Sequence, residues 1–219
     1  MKQLASTIIG SLGLLFCIAT TAAADHPRPY LSLIGGLNLA DEMTLSDRGG
    51  DFITTFEPGF FAGGALGYDL GDGFPQIGKG RIELEVGYRY NELHDTQFST
   101  GTLDSAGDLS TLSVMVNTVG EYREYAPTYF PYFGVGIGAA VISMNETSVA
   151  GHPLIDDSSV QLAYQLLAGV CLPLGKNLAM DLGYRYFGTL DPEFTDSRNN
   201  KVEADLGNHA IEIGLRLRF

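Results

Sequence analysis

The stretch Arg81-Ile82-Glu83-Leu84-Glu85-Val86-Gly87-Tyr88-Arg89-Tyr90 decides the fold. Ile82, Leu84, Val86, Tyr88 and Tyr90 occupy every second position, and Arg81, Glu83, Glu85, Gly87 and Arg89 fill the alternate ones. Successive side chains of a strand point to opposite faces, so this segment is a strand with one apolar and one charged side. Seven further segments repeat the pattern: residues 30–39, 60–70, 109–122, 129–142, 160–174, 178–188 and 208–219. The last sets Ile211, Ile213, Leu215, Leu217 and Phe219 against Ala210, Glu212, Gly214, Arg216 and Arg218. Eight is an even count, as single-chain barrels of the bacterial outer membrane require, and most segments reach the ~9–11 residues that cross a bilayer when tilted.

Orientation follows from the polar face. A soluble barrel would turn its large apolar residues inward. Here the opposite face is made of glycine and of charges of both signs, with Arg81, Arg89, Arg185, Arg216 and Arg218 against Asp69, Glu83, Glu85, Glu121, Asp181 and Glu212. Rows of glycine weaken strands without aiding solubility. Inside a narrow barrel they leave room for arginine and glutamate to pair. Eight strands enclose little more than their own side chains, so these residues are expected to form a packed ion-pair network and not a wide pore. The expected fold is an eight-stranded antiparallel up-and-down transmembrane β-barrel over residues 25–219. Closure bonds every backbone group where lipid surrounds it. Outward-phase aromatics agree: Tyr88, Tyr90, Tyr164, Tyr184 and Tyr186 fall toward one end of the strands, and Tyr68, Tyr122, Phe133 and Phe219 toward the other, as interfacial girdles do.

Composition fits this reading. The 219 residues are 45% hydrophobic and 18% charged, with 28 Gly and a net charge of −13. Disorder is excluded by the apolar content. No nucleic-acid partner is expected, because the 13 basic residues are spread along an acidic chain. Lys2, the apolar run from Ile8 to Ala19 and Ala22-Ala23-Ala24 before Asp25 form a secretory signal peptide, residues 1–24, removed before Asp25. Its removal takes Cys17 away and leaves Cys171 alone, so no intramolecular disulfide is expected.

Connections alternate in length. Residues 40–59, 91–108, 145–159 and 191–207 form long loops, expected outside the cell, and residues 71–79, 123–128 and 175–177 form short periplasmic turns. The long loops hold the whole net negative charge of the processed chain; the remaining segments carry acids and bases in equal number. Such a rim suits cations or basic partners, and meets lipopolysaccharide through bridging divalent ions. Asp156 and Asp157, or Asp191, Glu193 and Asp196, lack the spacing of a twelve-residue calcium loop, so they read as solvated acids. Phe52, Phe56 and Phe98 also fall in these loops, as partner contacts or as local packing.

These residues resemble a known group. Leu84 to Tyr90 and Met180 to Phe187 repeat one motif, residues 131–138 read Pro-Tyr-Phe-Gly-Val-Gly-Ile-Gly, and the chain closes on Leu-Arg-Leu-Arg-Phe. Together they resemble the small outer-membrane β-barrel family, which includes OmpA-like membrane domains and porin-family surface antigens. The resemblance implies a Gram-negative outer-membrane location, contact with outer-membrane lipid and lipopolysaccharide, and assembly by the barrel-assembly machinery through a C-terminal signal of Leu215, Leu217 and Phe219. Unlike full-length OmpA, the sequence stops at the barrel, so a cell-wall anchor is not implied.

No cofactor, metal or catalytic motif is expected. Gly134-Val-Gly-Ile-Gly-Ala139 imitates a dinucleotide fingerprint but continues as a strand into Val141 and Ile142. His26, His94, His152 and His209 have no paired metal spacing. The expected function is therefore non-enzymatic, structural or surface-interacting through the acidic loops. Two alternatives remain. A lipid A-modifying barrel enzyme would use outward-phase His209, which lacks an accompanying serine motif. A narrow small-solute channel would have to pass the ion-pair network.

Overall fold

A computed structural model describes residues 28–47, 50–70, 79–98, 101–122, 128–149, 152–190, 193–195, 201–204 and 207–219. The expected signal peptide lies outside the described residues, as do residues 71–78 and 123–127 of the short turns. Among the described residues twelve strands follow one another: β1 (Arg28–Ala40), β2 (Met43–Asp47), β3 (Gly50–Phe56), β4 (Gly59–Asp69), β5 (Lys79–Phe98), β6 (Gly101–Glu121), β7 (Phe130–Val149), β8 (His152–Pro173), β9 (Leu178–Thr189), β10 (Glu193–Thr195), β11 (Lys201–Ala204) and β12 (Gly207–Arg218).

Eight of them close the barrel, each antiparallel to its neighbours, in the order β1-β4-β5-β6-β7-β8-β9-β12 and back to β1. The closing ladder runs from Tyr30 opposite Arg218 to Ala40 opposite Asn208. The start of β1 and the end of β12 meet at one rim, where the amide of Phe219 donates to the Pro29 carbonyl at 3.0 Å. The barrel is the eight-stranded up-and-down barrel that the alternation predicts.

The long connections differ from expectation. Residues 91–108 and 145–159 are largely strand, because β5, β6, β7 and β8 run 20, 21, 20 and 22 residues, whereas β1, β4, β9 and β12 run 13, 11, 12 and 12. At ~3.3 Å per residue the longer four carry about 30 Å of extra strand. Within residues 40–59 and 191–207 lie β2, β3, β10 and β11, which continue the extended wall in the order β5-β3-β2-β11-β10. β10 then packs back against β8. A second storey thus stands on one end of the barrel. Beyond the hydrocarbon zone neither face must meet lipid, so Thr54 stands opposite Thr96, their hydroxyls 3.2 Å apart, Thr102 stands opposite Gln97, and the two-residue apolar rhythm fades. Gly107, at φ 126°, lies at the bulge between Ala106 and Asp108, a conformation that strains any side chain.

Burial has the polarity expected of a barrel in lipid. Apolar side chains of the outward phase are exposed, Ile137 at 72% and Leu66 and Ile211 at 65%, while Glu85 and Arg216 are wholly buried. No soluble surface tolerates so wide an apolar belt. Phe60 stacks on Tyr90 at 5.6 Å and Tyr164 lies 6.1 Å from Tyr186 near the second storey, while Tyr68, Tyr122, Tyr129 and Phe133 are exposed toward the rim that holds the termini.

Candidate functional site: the barrel lumen and its outer rim

Inward phase places Arg81, Glu83, Glu85, Arg89, Glu121, Asp181, Arg185, Glu212 and Arg216 inside the lumen, all buried, with Arg218 half-buried near the terminal rim. They fall into two levels. Nearest the termini, the Arg81 Nε lies 2.8 Å from Glu83 Oε1 and its Nη1 is paired with Glu121. Arg216 reaches Glu121 at 2.7 Å and Asp181 at 3.1 Å, and also donates to the Cys171 sulfur at 2.9 Å. Cys171 is a free, buried thiol. Arg218 stands 3.9 Å from Asp69.

The second level is organised by Arg185. Its Nη1 is paired with Glu85 and donates to Gln165 Oε1 at 2.8 Å, and its Nε and Nη2 hold Glu212 at 2.8 and 3.2 Å. Asn117 donates to Glu85 at 3.1 Å, and Gln165 donates to Asn117 at 2.6 Å. Charge-assisted, bidentate contacts of this kind are the strong members of their class, and where they are buried they rigidify. Higher still, Asn38 donates to Asn91 at 2.6 Å and to Asn208 at 2.9 Å, tying β1, β5 and β12 together.

Among the described residues the lumen also holds buried aromatic rings that the sequence reading does not assign, Tyr30, Phe61, Tyr132 and Phe187. Guanidinium carbons lie over them, Arg216 at 5.4 Å from Tyr30, Arg81 at 5.1 Å from Tyr132, Arg185 at 4.6 Å from Phe61 and Arg89 at 3.7 Å from Phe187. Tyr30 donates from its hydroxyl to Glu83 at 2.6 Å. The inward glycines therefore have a second role beyond making room for ion pairs. A Cβ on Gly67 would meet the Tyr30 ring at 2.0 Å, one on Gly87 the Phe61 ring at 2.9 Å, and one on Gly183 the Tyr132 hydroxyl at 2.3 Å. Strict phase reveals these rings, since Phe61 stands in step with Gly63, Ala65 and Gly67.

His209, the candidate for lipid chemistry, lies in the outer girdle. Its Nδ1 is 2.5 Å from the Tyr184 hydroxyl and its Nε2 is 3.1 Å from Asp41. The ring packs 5.1 Å from Tyr186. Its two ring nitrogens thus meet a phenol and a carboxylate, not a serine hydroxyl. Among the described residues no three His, Cys, Asp or Glu side chains are grouped to hold a metal ion. The side chains of Asp156, Asp157, Asp191, Glu193 and Asp196, like those of Phe52 and Phe98, lie outside the described residues, whereas Phe56 is half-buried.

Comparison with known proteins agrees with this architecture. OprG, an outer membrane protein from Pseudomonas aeruginosa, is similar at 16% identity and a TM-score of 0.54, covering 88% of this chain and 97% of OprG. Neisserial surface protein A is similar at 18% identity and a TM-score of 0.53, covering 87% of this chain and 97% of that protein. At such identities the likeness is one of fold. No curated protein sequence matches the chain. The family of the outer membrane protein β-barrel domain matches residues 9–219. A closed barrel with a lipid-facing apolar belt and a family match over nearly its whole length make this chain a member of the outer membrane protein β-barrel domain family, resident in the Gram-negative outer membrane.

Proposed function

We propose that the protein is a non-enzymatic surface barrel that presents the second storey to partners outside the cell, with no wide pore through its lumen. The observation that carries this reading is the prolongation of β5, β6, β7 and β8 by β3, β2, β11 and β10 beyond the aromatic girdle. Wall that extends past the membrane contributes nothing to spanning it. The segments that build this storey also hold the chain's net negative charge, so they favour cationic partners, including lipopolysaccharide bridged by divalent ions. Below it, Arg185, Glu85 and Glu212 fill the lumen and oppose conduction. Assembly is proposed to start from the outward-phase signal of Leu215, Leu217 and Phe219, read by the barrel-assembly machinery.

The test uses protein embedded in phospholipid vesicles and fluorescent polylysine as the probe. Wild type is expected to bind it in a salt-dependent way. Neutralising Asp156, Asp157, Asp191, Glu193 and Asp196 to Asn or Gln should weaken binding at least tenfold while the folded barrel persists. Equal binding by both proteins would overturn the surface reading.

A further inference from the structure

Each of the other lumen arginines at these two levels has carboxylate partners. Arg81 has Glu83 and Glu121, Arg185 has Glu85 and Glu212, and Arg216 has Glu121 and Asp181. Arg89 differs. It is 1% exposed, and among the described residues no carboxylate forms an ion pair with it. Its Nη1 donates to Ser113 Oγ at 3.0 Å, while its Nε and Nη2 have no hydrogen-bond partner. The guanidinium is held between Phe61, at 4.8 Å, and Phe187, at 3.7 Å. Ring quadrupoles offset only part of the cost of desolvating a full charge. Arg185 lies over the same Phe61 ring at 4.6 Å, but its charge is met by Glu85 and Glu212, which leaves Arg89 as the guanidinium of this level, among the described residues, without a direct carboxylate contact.

We propose that Arg89 is the anchor of an internal binding site for a small oxyanion, a carboxylate or phosphate group. The two unpartnered nitrogens are the side edge of the guanidinium, the pair of parallel N–H donors that matches two oxygens of one oxyanion. More donor capacity stands beside it. Asn208, opposite Phe187 in the β9–β12 ladder, has a buried Nδ2 without a partner, and Thr189, on the same face of β9 as Phe187, has a buried Oγ1 without one. The Arg185 level closes the site toward the terminal rim. Buried Leu109, Ile142 and Met144 line the β6–β7 wall at and above Arg89, so the ion enters as the barrel folds and exchanges slowly thereafter.

The whole protein is refolded into detergent micelles in formate, in inorganic phosphate, or in chloride at equal ionic strength, and its unfolding rate in urea is followed. Formate or phosphate should slow unfolding of the wild type at least tenfold relative to chloride, in a saturable manner. A response to one alone tells a carboxylate from a phosphate group. Arg89→Lys, which keeps the charge but not the two-donor edge, should lose most of this effect, and Arg89→Gln all of it. Equal anion responses in the three proteins, or no response in the wild type, would overturn the site. Should the variants fail to fold, the wild type decides alone. Magnetisation transfer from 13C-formate or from the phosphorus of phosphate to an arginine 15Nε supports the assignment, and its absence for both ions overturns it.

Discussion

Arg185 bonds with Glu85, a hundred positions away in sequence, while also holding Gln165 and Glu212, so one side chain joins β5, β8, β9 and β12. Removing it leaves two buried carboxylates uncompensated. Breaking a buried pair in this way costs about 3–5 kcal/mol, and Arg185→Met should lower stability by that amount in a urea titration of the micelle-bound protein. Adding Glu85→Gln and Glu212→Gln to Arg185→Met should recover a large part of the loss, since the stranded charges are then gone. A second expectation concerns His209. Purified wild type and His209→Ala should both release no acyl chain from lipid A, and acyl release that depends on His209 would refute the non-enzymatic reading. At this scale the sequence displayed which residues point inward, because strand phase alone sets that. It did not display who pairs with whom, because each partnership depends on a ladder register between distant strands. Arg89 shows the limit well: its inward phase is plain in the sequence, but only the assembled barrel leaves it without a carboxylate.

Strands and their ladders explain what glycine does here. The Tyr30 ring lies where a Cβ on Gly67 would stand, at 2.0 Å, across the pairing of β1 with β4. Gly67→Ala should destabilise the barrel by about 1–3 kcal/mol as the ring is displaced from Glu83. A double-mutant cycle with Tyr30→Leu should show strong coupling, with the glycine substitution nearly harmless once the ring is gone. Additive losses would mean that the ring and the glycine act separately. The barrel strands were legible because lipid on one side and a packed lumen on the other impose a two-residue rhythm on each. Their outer continuations were not legible, since segments such as Thr96–Phe98 and Gly101–Asp104 show no constant apolar phase in the sequence, although their backbones pair in the ladder.

The molecule as a whole divides its work along the barrel axis. One half holds the buried charge network, and on the proposed reading reconstitution into planar bilayers should yield no stable large conductance, with a wide open state contradicting that reading. The other half is a wall that pairs across four chain excursions and depends on the tall β5–β6 hairpin, because β3 docks on β5 through Ile53 opposite Gln97, Thr54 opposite Thr96 and Phe56 opposite Leu93. Replacing residues 93–108 with a two-residue turn removes that dock. The barrel ladder below it, from Lys79 opposite Glu121 to Asn91 opposite Leu109, stays whole, and only the pairing of Glu92 with Asp108 just above it goes with the hairpin. The shortened protein should therefore still fold and keep its gel shift between unboiled and boiled samples in SDS. Loss of polylysine binding in that folded variant is the expected result. Retained binding would move the interaction surface away from the β5 side of the wall, and loss of the gel shift would show that the two storeys do not fold independently.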